Sequence, residues 1–291
     1  MSEPELLTLR ASDGYDIAFR RYLPLAGTTT RAVVVYLHGI QSHGGWYDAS
    51  SRHLAQAGFA VYFADRRGSG LNQVDRGHAP SWPQLARDVT DLEERALTDL
   101  WPQAGRLPLF LLAVSWGGKL AAALAAMHVG RYAGLALLCP GICPQRDVSR
   151  SAKFRIASCL ARGRAMQKFP IPLDDPRLFT ATPRWLDFLA HDPLALHEAT
   201  ARFLFESRQL DAYVAEAAEW IRAPAYLALA DHDRIIDNAA TQRYFARLGS
   251  TDKTSRIYPG AHHTLEFEPD PAPIFTDLTD WLTAKRDEIR L

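Results

Sequence analysis

Cysteine is scarce in this chain: three residues in 291, at Cys139, Cys143 and Cys159. So few cysteines, odd in number, exclude a full disulfide framework and point to reduced thiols and a cytoplasmic setting. Cys139-x3-Cys143 has no companion Cys/His pair nearby, so buried free thiols are a better reading than a metal site. A surplus of charge is also missing. The 33 basic and 33 acidic side chains balance, which removes the electrostatic footprint expected of a nucleic-acid partner. No stretch approaches the ~18 consecutive apolar residues that would span a bilayer. The opening Met1-Ser2-Glu3-Pro4-Glu5 is acidic and lacks the apolar run of a secretory leader. No internal repeat or low-complexity segment is visible.

What the chain does have is apolar material, 47% of its residues, enough for a substantial core. Residues 15–22 alternate as a half-buried strand would. Residues 32–37, 60–64, 109–114, 134–138 and 225–230 are nearly continuous apolar runs, as expected of strands covered on both faces of a parallel sheet. Between them lie segments of helical length and mixed polarity, at 47–57, 82–100, 115–128 and 241–248, with 274–289 closing the chain. This alternation predicts an α/β fold: a mostly parallel, doubly wound sheet with ligands at the carboxyl ends of its strands. From 144 to 221 the rhythm stops. Helical patterns and proline-punctuated loops replace strands, so 144–221 reads as a helical cap inserted between core strands, with 1–143 and 222–291 forming the core.

Leu109 to Val114 runs directly into Ser115-Trp116-Gly117-Gly118, with small residues at Ala113 and Gly117 and a helical pattern behind. That layout is a nucleophile elbow, which raises a serine hydroxyl at the edge of a sheet and points a helix N-terminus at it. Serine needs a base, and the base needs an orienting acid. Asp231-His232-Asp233 follows the 225–230 strand, and a last short strand, 255–258, leads to Pro259-Gly260-Ala261-His262-His263. The order Ser…Asp…His is the one this architecture uses. Residue type alone leaves Asp231 open beside Asp233, and His262 beside His263. The glycine-rich turn His38-Gly39-Ile40-Gln41-Ser42-His43-Gly44-Gly45 ends the 32–37 strand. The N–H groups of Ile40 and Trp116 are therefore assigned to an oxyanion hole. His38, Gly39 and Trp116 are placed on the substrate wall, with His38 and His43 bracing the turn. Lys119 reads as a solvated or paired surface charge.

These motifs resemble the monoacylglycerol lipase and lysophospholipase-like group of α/β-hydrolases, which is also classed with serine aminopeptidases. The matches are His38-Gly39 with His43-Gly44, Asp65-Arg66-Arg67-Gly68-Ser69-Gly70, the Ser115 elbow, Asp233 to Asp237, and Gly260 to His263. His191-Asp192-Pro193-Leu194 looks like the group's Asp-Pro element. The resemblance implies the α/β-hydrolase fold, Ser115 as nucleophile, Asp233 as acid, His263 as base, and no metal or cofactor. The Arg66-Arg67-Gly68-Ser69-Gly70 turn reads as structural, its glycines permitting the bend beside the site. Two positions depart from the pattern: Ala113 stands where glycine is usual, and Trp116 is bulkier than the usual Met or Gln and would narrow the acyl pocket.

The reaction implied is hydrolysis of carboxylic esters of apolar acyl groups, such as monoacylglycerols or lysophospholipids, through an acyl-enzyme. A serine at the elbow excludes an aspartate-nucleophile dehalogenase or epoxide hydrolase. Two rivals use the same residues or the same fold. One is an acyltransferase or aminopeptidase, the latter needing an acidic anchor for which Glu206 and Asp211 are candidates. The other is a non-enzymatic small-molecule binder. From Arg146 to Lys168 seven basic residues face one acid, Asp147, and interleave with Phe154, Ile156, Leu160 and Met166. An apolar stripe packed on the core is the plainer reading of that segment. Peripheral contact with an anionic membrane is the sharper one.

Overall fold

The computed structural model describes residues 3–104 and 107–289. Met1 and Ser2, the start of the segment read above as no leader, lie outside the described residues. The chain opens with β1 (Glu5–Arg10) and β2 (Asp16–Tyr22), an antiparallel pair. It continues through β3 (Ala32–Leu37), α1 (Asp48–Gln56), β4 (Phe59–Ala64), α2 (Trp82–Ala104), β5 (Leu109–Val114), α3 (Trp116–Met127) and β6 (Gly134–Leu138). An inserted stretch holds α4 (Arg150–Ala161), β7 (Lys168–Pro170), α5 (Pro183–His191), β8 (Glu198–Thr200) and α6 (Ala201–Ala217). The chain then returns to the sheet with β9 (Ala225–Ala230), α7 (Asn238–Ala246), β10 (Lys253–Tyr258) and α8 (Ala272–Glu288).

The main sheet has eight strands in the order β1-β2-β4-β3-β5-β6-β9-β10. Only β2 runs against the rest; the register from Val35 through Leu111 to Leu135 and Ala225 is parallel. Every residue of β3, β5 and β9 is buried, which is why those segments read as unbroken apolar runs rather than alternating ones. The helices pack against these faces and leave the carboxyl ends of the central strands to carry loops.

Three strands escaped the sequence pattern. β1 lies at the sheet edge with one of its six residues buried, so it shows almost no apolar periodicity. The inserted stretch also contains strands where none was expected: β7 and β8 pair antiparallel as a two-stranded ribbon of three residues each. Strands that short, one ending in Pro170, carry too few residues to display a period. Their partners fix them instead, with Phe169, Ile156 and Ala201 forming a small apolar cluster beneath α4.

Two buried carboxylates tie the loops at the carboxyl edge together. Asp65, just past β4, accepts from Gly44 N (2.7 Å), Leu71 N (2.8 Å) and Arg20 Nη1 (2.9 Å) and has no exposed surface. Replacing it would strand three donors. Asp65→Ala is expected to cost about 3 kcal/mol of stability in urea denaturation; a loss within error of zero would contradict this role. Glu266 reaches from the loop after β10 to the first turn of α1, where its Oε1 accepts from Ser50 N (2.9 Å). Burial raises its pKa from 4.5 to about 7. Because the folded value lies above the unfolded one, the protonated form is favoured by folding. The contribution is complete below the unfolded value and is lost as pH rises through about 7. From about pH 5 to about pH 8 the wild type should lose on the order of 2 kcal/mol more than Glu266→Gln. Parallel stability curves would contradict the assignment.

Candidate active site

The backbone at Ser115 is strained. Its φ of +52° lies in the left-handed region, which costs a residue with a Cβ. The surroundings leave no alternative. A Cβ at Gly117 would come within 2.6 Å of Leu37 O and 2.7 Å of His38 O, so α3 can start this close to β3 only with glycine there. Ser115 N donates to Leu138 O (3.1 Å), and Ser115 O accepts from Gly118 N (2.9 Å) and Gly141 N (2.6 Å). Ala113 is fully buried, so its methyl fits where glycine is usual in the group. The result lifts the Ser115 hydroxyl off the end of β5 at the N-terminus of α3.

His263 Nε2 lies 2.8 Å from Ser115 Oγ, and His263 Nδ1 lies 2.7 Å from Asp233 Oδ2. The other carboxylate oxygen, Oδ1, accepts from Ile235 N (2.8 Å) and Ile236 N (3.1 Å). Burial opposes ionisation of Asp233, but His263 and these two amides outweigh it and hold the carboxyl below its ordinary range. With Oδ2 an acceptor, Nδ1 carries the ring proton and Nε2 faces the serine hydroxyl as an acceptor. The alternatives left open by residue type point elsewhere. Asp231 is more than half exposed, with His232 Nε2 3.9 Å from its Oδ2. His262 turns to Glu268, which takes both its N–H (2.7 Å) and its Nδ1 (3.2 Å).

The turn after β3 lies against the serine: a Cβ on Gly39 would stand 3.2 Å from Ser115 Cβ. Its shape is fixed by side chains. Gly39 N donates to Ser42 Oγ (2.9 Å), and His38 Nδ1 donates to Gly39 O (2.7 Å). The tautomer follows from the ring's other nitrogen, which accepts Arg66 N–H at 2.7 Å. Burial, with Arg66 nearby, pushes the His38 pKa well below its usual value, so the ring is neutral. His43 accepts Gly45 N–H at Nδ1 (3.1 Å) and faces Asp192 through Nε2 (3.1 Å). Asp192 also accepts from Trp46 Nε1 (2.6 Å), so the Asp-Pro element of the inserted stretch is pinned to this turn. The N–H groups of Ile40 and Trp116 have no acceptor among the described residues.

A cavity of about 330 Å³ opens beside Ser115. Ile40 and Trp116 form its inner wall, and Ile156, Leu173, Leu204 and Ile235 give it apolar sides drawn from both core and inserted stretch. Three expectations change here. His38 does not line this cavity; its ring lies behind the turn, 3% exposed, and acts as a brace. Gly39 instead borders the narrow space between Ser115 and His263. Lys119 is paired, as one reading had it, but it is buried on the cavity wall against Asp211 (2.5 Å) instead of on the surface. That pairing removes Asp211 as a free acidic anchor. Glu206 is taken by Trp82 N (3.2 Å) and Arg202 (3.4 Å), away from the cavity. Trp116 lines the space, with Nε1 bonded to Ser207 Oγ (2.8 Å) and its ring tilted onto Phe203.

Cys139 is fully buried, whereas Cys143 and Cys159 are partly exposed. Its sulfur lies with Asp233 and His263 inside a 4.8 Å group, the spacing of a metal cluster. The chemistry does not fit one: burial and the adjacent carboxylate push the thiol pKa well up, and Asp233 and His263 are spent on each other. Sequence reasoning missed Arg66, Phe203 and Ser207 around Trp116. Only the run of two arginines before Gly68 hinted at the first.

The family described as "Serine aminopeptidase, S33" matches residues 28–270. The chain is 27% identical over 261 residues to the monoacylglycerol lipase of Mycolicibacterium smegmatis, covering 88% of this chain and 90% of that one. It is 26% identical over 271 residues to human monoglyceride lipase, covering 92% and 87%. A soluble variant of the Saccharomyces cerevisiae monoglyceride lipase, solved with a substrate analogue, superimposes with a TM-score of 0.86 at 21% identity over 98% of this chain and 96% of that chain. The chain belongs to the serine aminopeptidase S33 family, within the monoacylglycerol lipase and lysophospholipase-like group of α/β-hydrolases.

Proposed function

We propose that this protein is a serine hydrolase that cleaves carboxylic esters of apolar acyl groups, monoacylglycerols first among them, through an acyl-enzyme. The observation that carries the proposal is the unbroken chain from Ser115 Oγ through His263 to Asp233, opening onto an apolar-sided cavity. His263 Nε2 takes the Ser115 proton as Oγ attacks the ester carbonyl, and Asp233 stabilises the imidazolium that results. The oxyanion is received by the N–H groups of Ile40 and Trp116, free for that purpose in this geometry. His263 then returns the proton to the leaving alcohol. Water, deprotonated by the same ring, releases the acid and restores the serine. The steps require neither metal nor cofactor.

Residues 144–221 serve as the cap in this reading. They supply Ile156, Leu173 and Leu204 to the cavity and are anchored on the oxyanion turn through Asp192. The paired state of Asp211 weighs against an aminopeptidase, which would need a free carboxylate for the substrate amine. Two features of α4 support contact with an anionic lipid surface. Its inward face is satisfied by Ile156, while Phe154, 77% exposed, lies on the same helix as the exposed Arg150 and Arg155. Among the described residues no helix is long and apolar enough to cross a membrane. The cysteines form no disulfide, in keeping with a cytoplasmic placement.

A fluorophosphonate probe is expected to label the wild type on Ser115 and to leave Ser115→Ala unlabelled; labelling that survives the substitution would refute the assignment. Asp233→Asn should reduce kcat about 10³- to 10⁴-fold, because the ring then loses its oriented tautomer, while Asp231→Asn should leave ester hydrolysis near wild type. Equal losses in both variants would point away from Asp233. Vesicles containing phosphatidylglycerol should co-sediment the protein at low salt, and Phe154→Asp should weaken that binding about tenfold. Absence of binding by the wild type would remove the membrane surface from the account.

A further inference from the structure

The basic turn between β4 and α2, read from the sequence as structural, holds a half-buried guanidinium that reaches the oxyanion turn. Arg66 Nη1 donates to Gly39 O (3.0 Å) and Nη2 to Ile40 O (2.9 Å). The planar fork of arginine has the spacing to hold two consecutive carbonyls, which the single ammonium of lysine lacks. Its carbon centre lies 4.7 Å from the centre of the Trp116 ring and 5.1 Å from that of Phe203. No carboxylate pairs with Arg66 among the described residues. Asp65 is the nearest acid in sequence, and both its oxygens are committed to Arg20, Gly44 and Leu71. Arg66 Nε has no partner among the described residues. Burial lowers its pKa to about 9, which still leaves a cation at neutral pH. A partly desolvated cation without a carboxylate is costly, so its two carbonyl contacts and its aromatic seat call for an explanation beyond filling space.

The geometry supplies one. The carbonyl of Gly39 belongs to the same peptide unit as the N–H of Ile40. A charged donor on that carbonyl draws electron density toward the oxygen and makes the N–H at the other end of the peptide a stronger donor. His38 Nδ1 adds a second donor to the same oxygen at 2.7 Å. The Arg66 grip on Ile40 O fixes the next peptide and with it the direction of the Ile40 N–H. Trp116 joins the two halves of the arrangement: its backbone provides the other free amide and its side chain provides the face on which the cation rests. The bulk of Trp116 beside the nucleophile thus has a use in seating the cation.

We propose that Arg66 is a positioning residue for oxyanion stabilisation, gripping the carbonyls of Gly39 and Ile40 so that the Ile40 N–H is both aimed and polarised. This rests on the reading of Ser115 as nucleophile and Ile40 as oxyanion donor, and it assigns a role to a side chain that touches neither substrate nor the reacting atoms. The effect must therefore appear where negative charge develops on the substrate oxygen, and not in ground-state binding.

The test compares wild type, Arg66→Met and Arg66→Gln with a p-nitrophenyl ester and two ketone inhibitors of the same chain length. A trifluoromethyl ketone adds to serine and places an oxyanion in the hole; the methyl ketone binds without adding. Arg66→Met should lower kcat about 10- to 100-fold at nearly constant KM, a fraction of the loss from deleting an oxyanion donor. Affinity for the trifluoromethyl ketone should fall by the same factor, and affinity for the methyl ketone should stay within about twofold. Arg66→Gln, which keeps a hydrogen-bonding head but not the charge, should show the same split and stands in if the methionine variant does not fold. Unchanged kcat, or equal loss of affinity for both ketones with a raised KM, would overturn the role and leave a packing residue. Fluorophosphonate labelling of the wild type separates the two levels. If Ser115 is not labelled, the hydrolase reading falls and takes this one with it. If Ser115 is labelled and the variants match wild type, only the role of Arg66 falls.

Discussion

Everything at this site depends on one strained residue. Ser115 holds a left-handed backbone because β5 and α3 meet where Leu37 O and His38 O leave room for Gly117 and nothing larger. That close approach sets the serine hydroxyl above the strand ends and brings the turn after β3 against it. It also leaves the first amide of α3 without an acceptor among the described residues. Strain of this kind persists only where packing over-determines it. Here the restraint comes from fully buried β3 and β5 and from the bonds that Ser115 N and O make to Leu138, Gly118 and Gly141.

Around that point ionisable side chains hold the loops in place. Asp65 gathers Gly44, Leu71 and Arg20; Asp192 gathers His43 and Trp46; Glu266 holds the loop that carries His263 against the start of α1. Arg66 does the same for the turn that presents Ile40. Each group converts a flexible connection at the sheet edge into a fixed one, the condition for placing reacting groups within fractions of an ångström. The inserted stretch joins this network through Asp192 and contributes cavity wall.

Much of this was legible in the chain because its causes are local. Apolar runs buried on both faces announce parallel strands, and the order of Ser115, Asp233 and His263 along those strands brings the three side chains to one edge, where they lie in hydrogen-bond contact. The choice of Asp233 over Asp231 needed either resemblance or coordinates, since both follow the same strand. The rest was illegible because its causes are distant. Lys119 looks like a surface charge until α6 places Asp211 against it. His38 looks like a substrate contact until Arg66 is seen to claim its outer nitrogen. Strands β1, β7 and β8 are too exposed or too short to show a period, and only their partners make them strands.

The most direct test of the proposed acyl-enzyme is a partition experiment. Esters that share one acyl group but differ in leaving alcohol (p-nitrophenol, phenol and glycerol) are hydrolysed in the presence of a fixed concentration of methanol. The ratio of methyl ester to free acid is then measured for each. A common acyl intermediate on Ser115 requires the same ratio for all three, because the leaving alcohol has departed before water and methanol compete. A ratio that changes with the leaving alcohol would mean that the acceptor attacks the ester directly, and would contradict nucleophilic catalysis by Ser115.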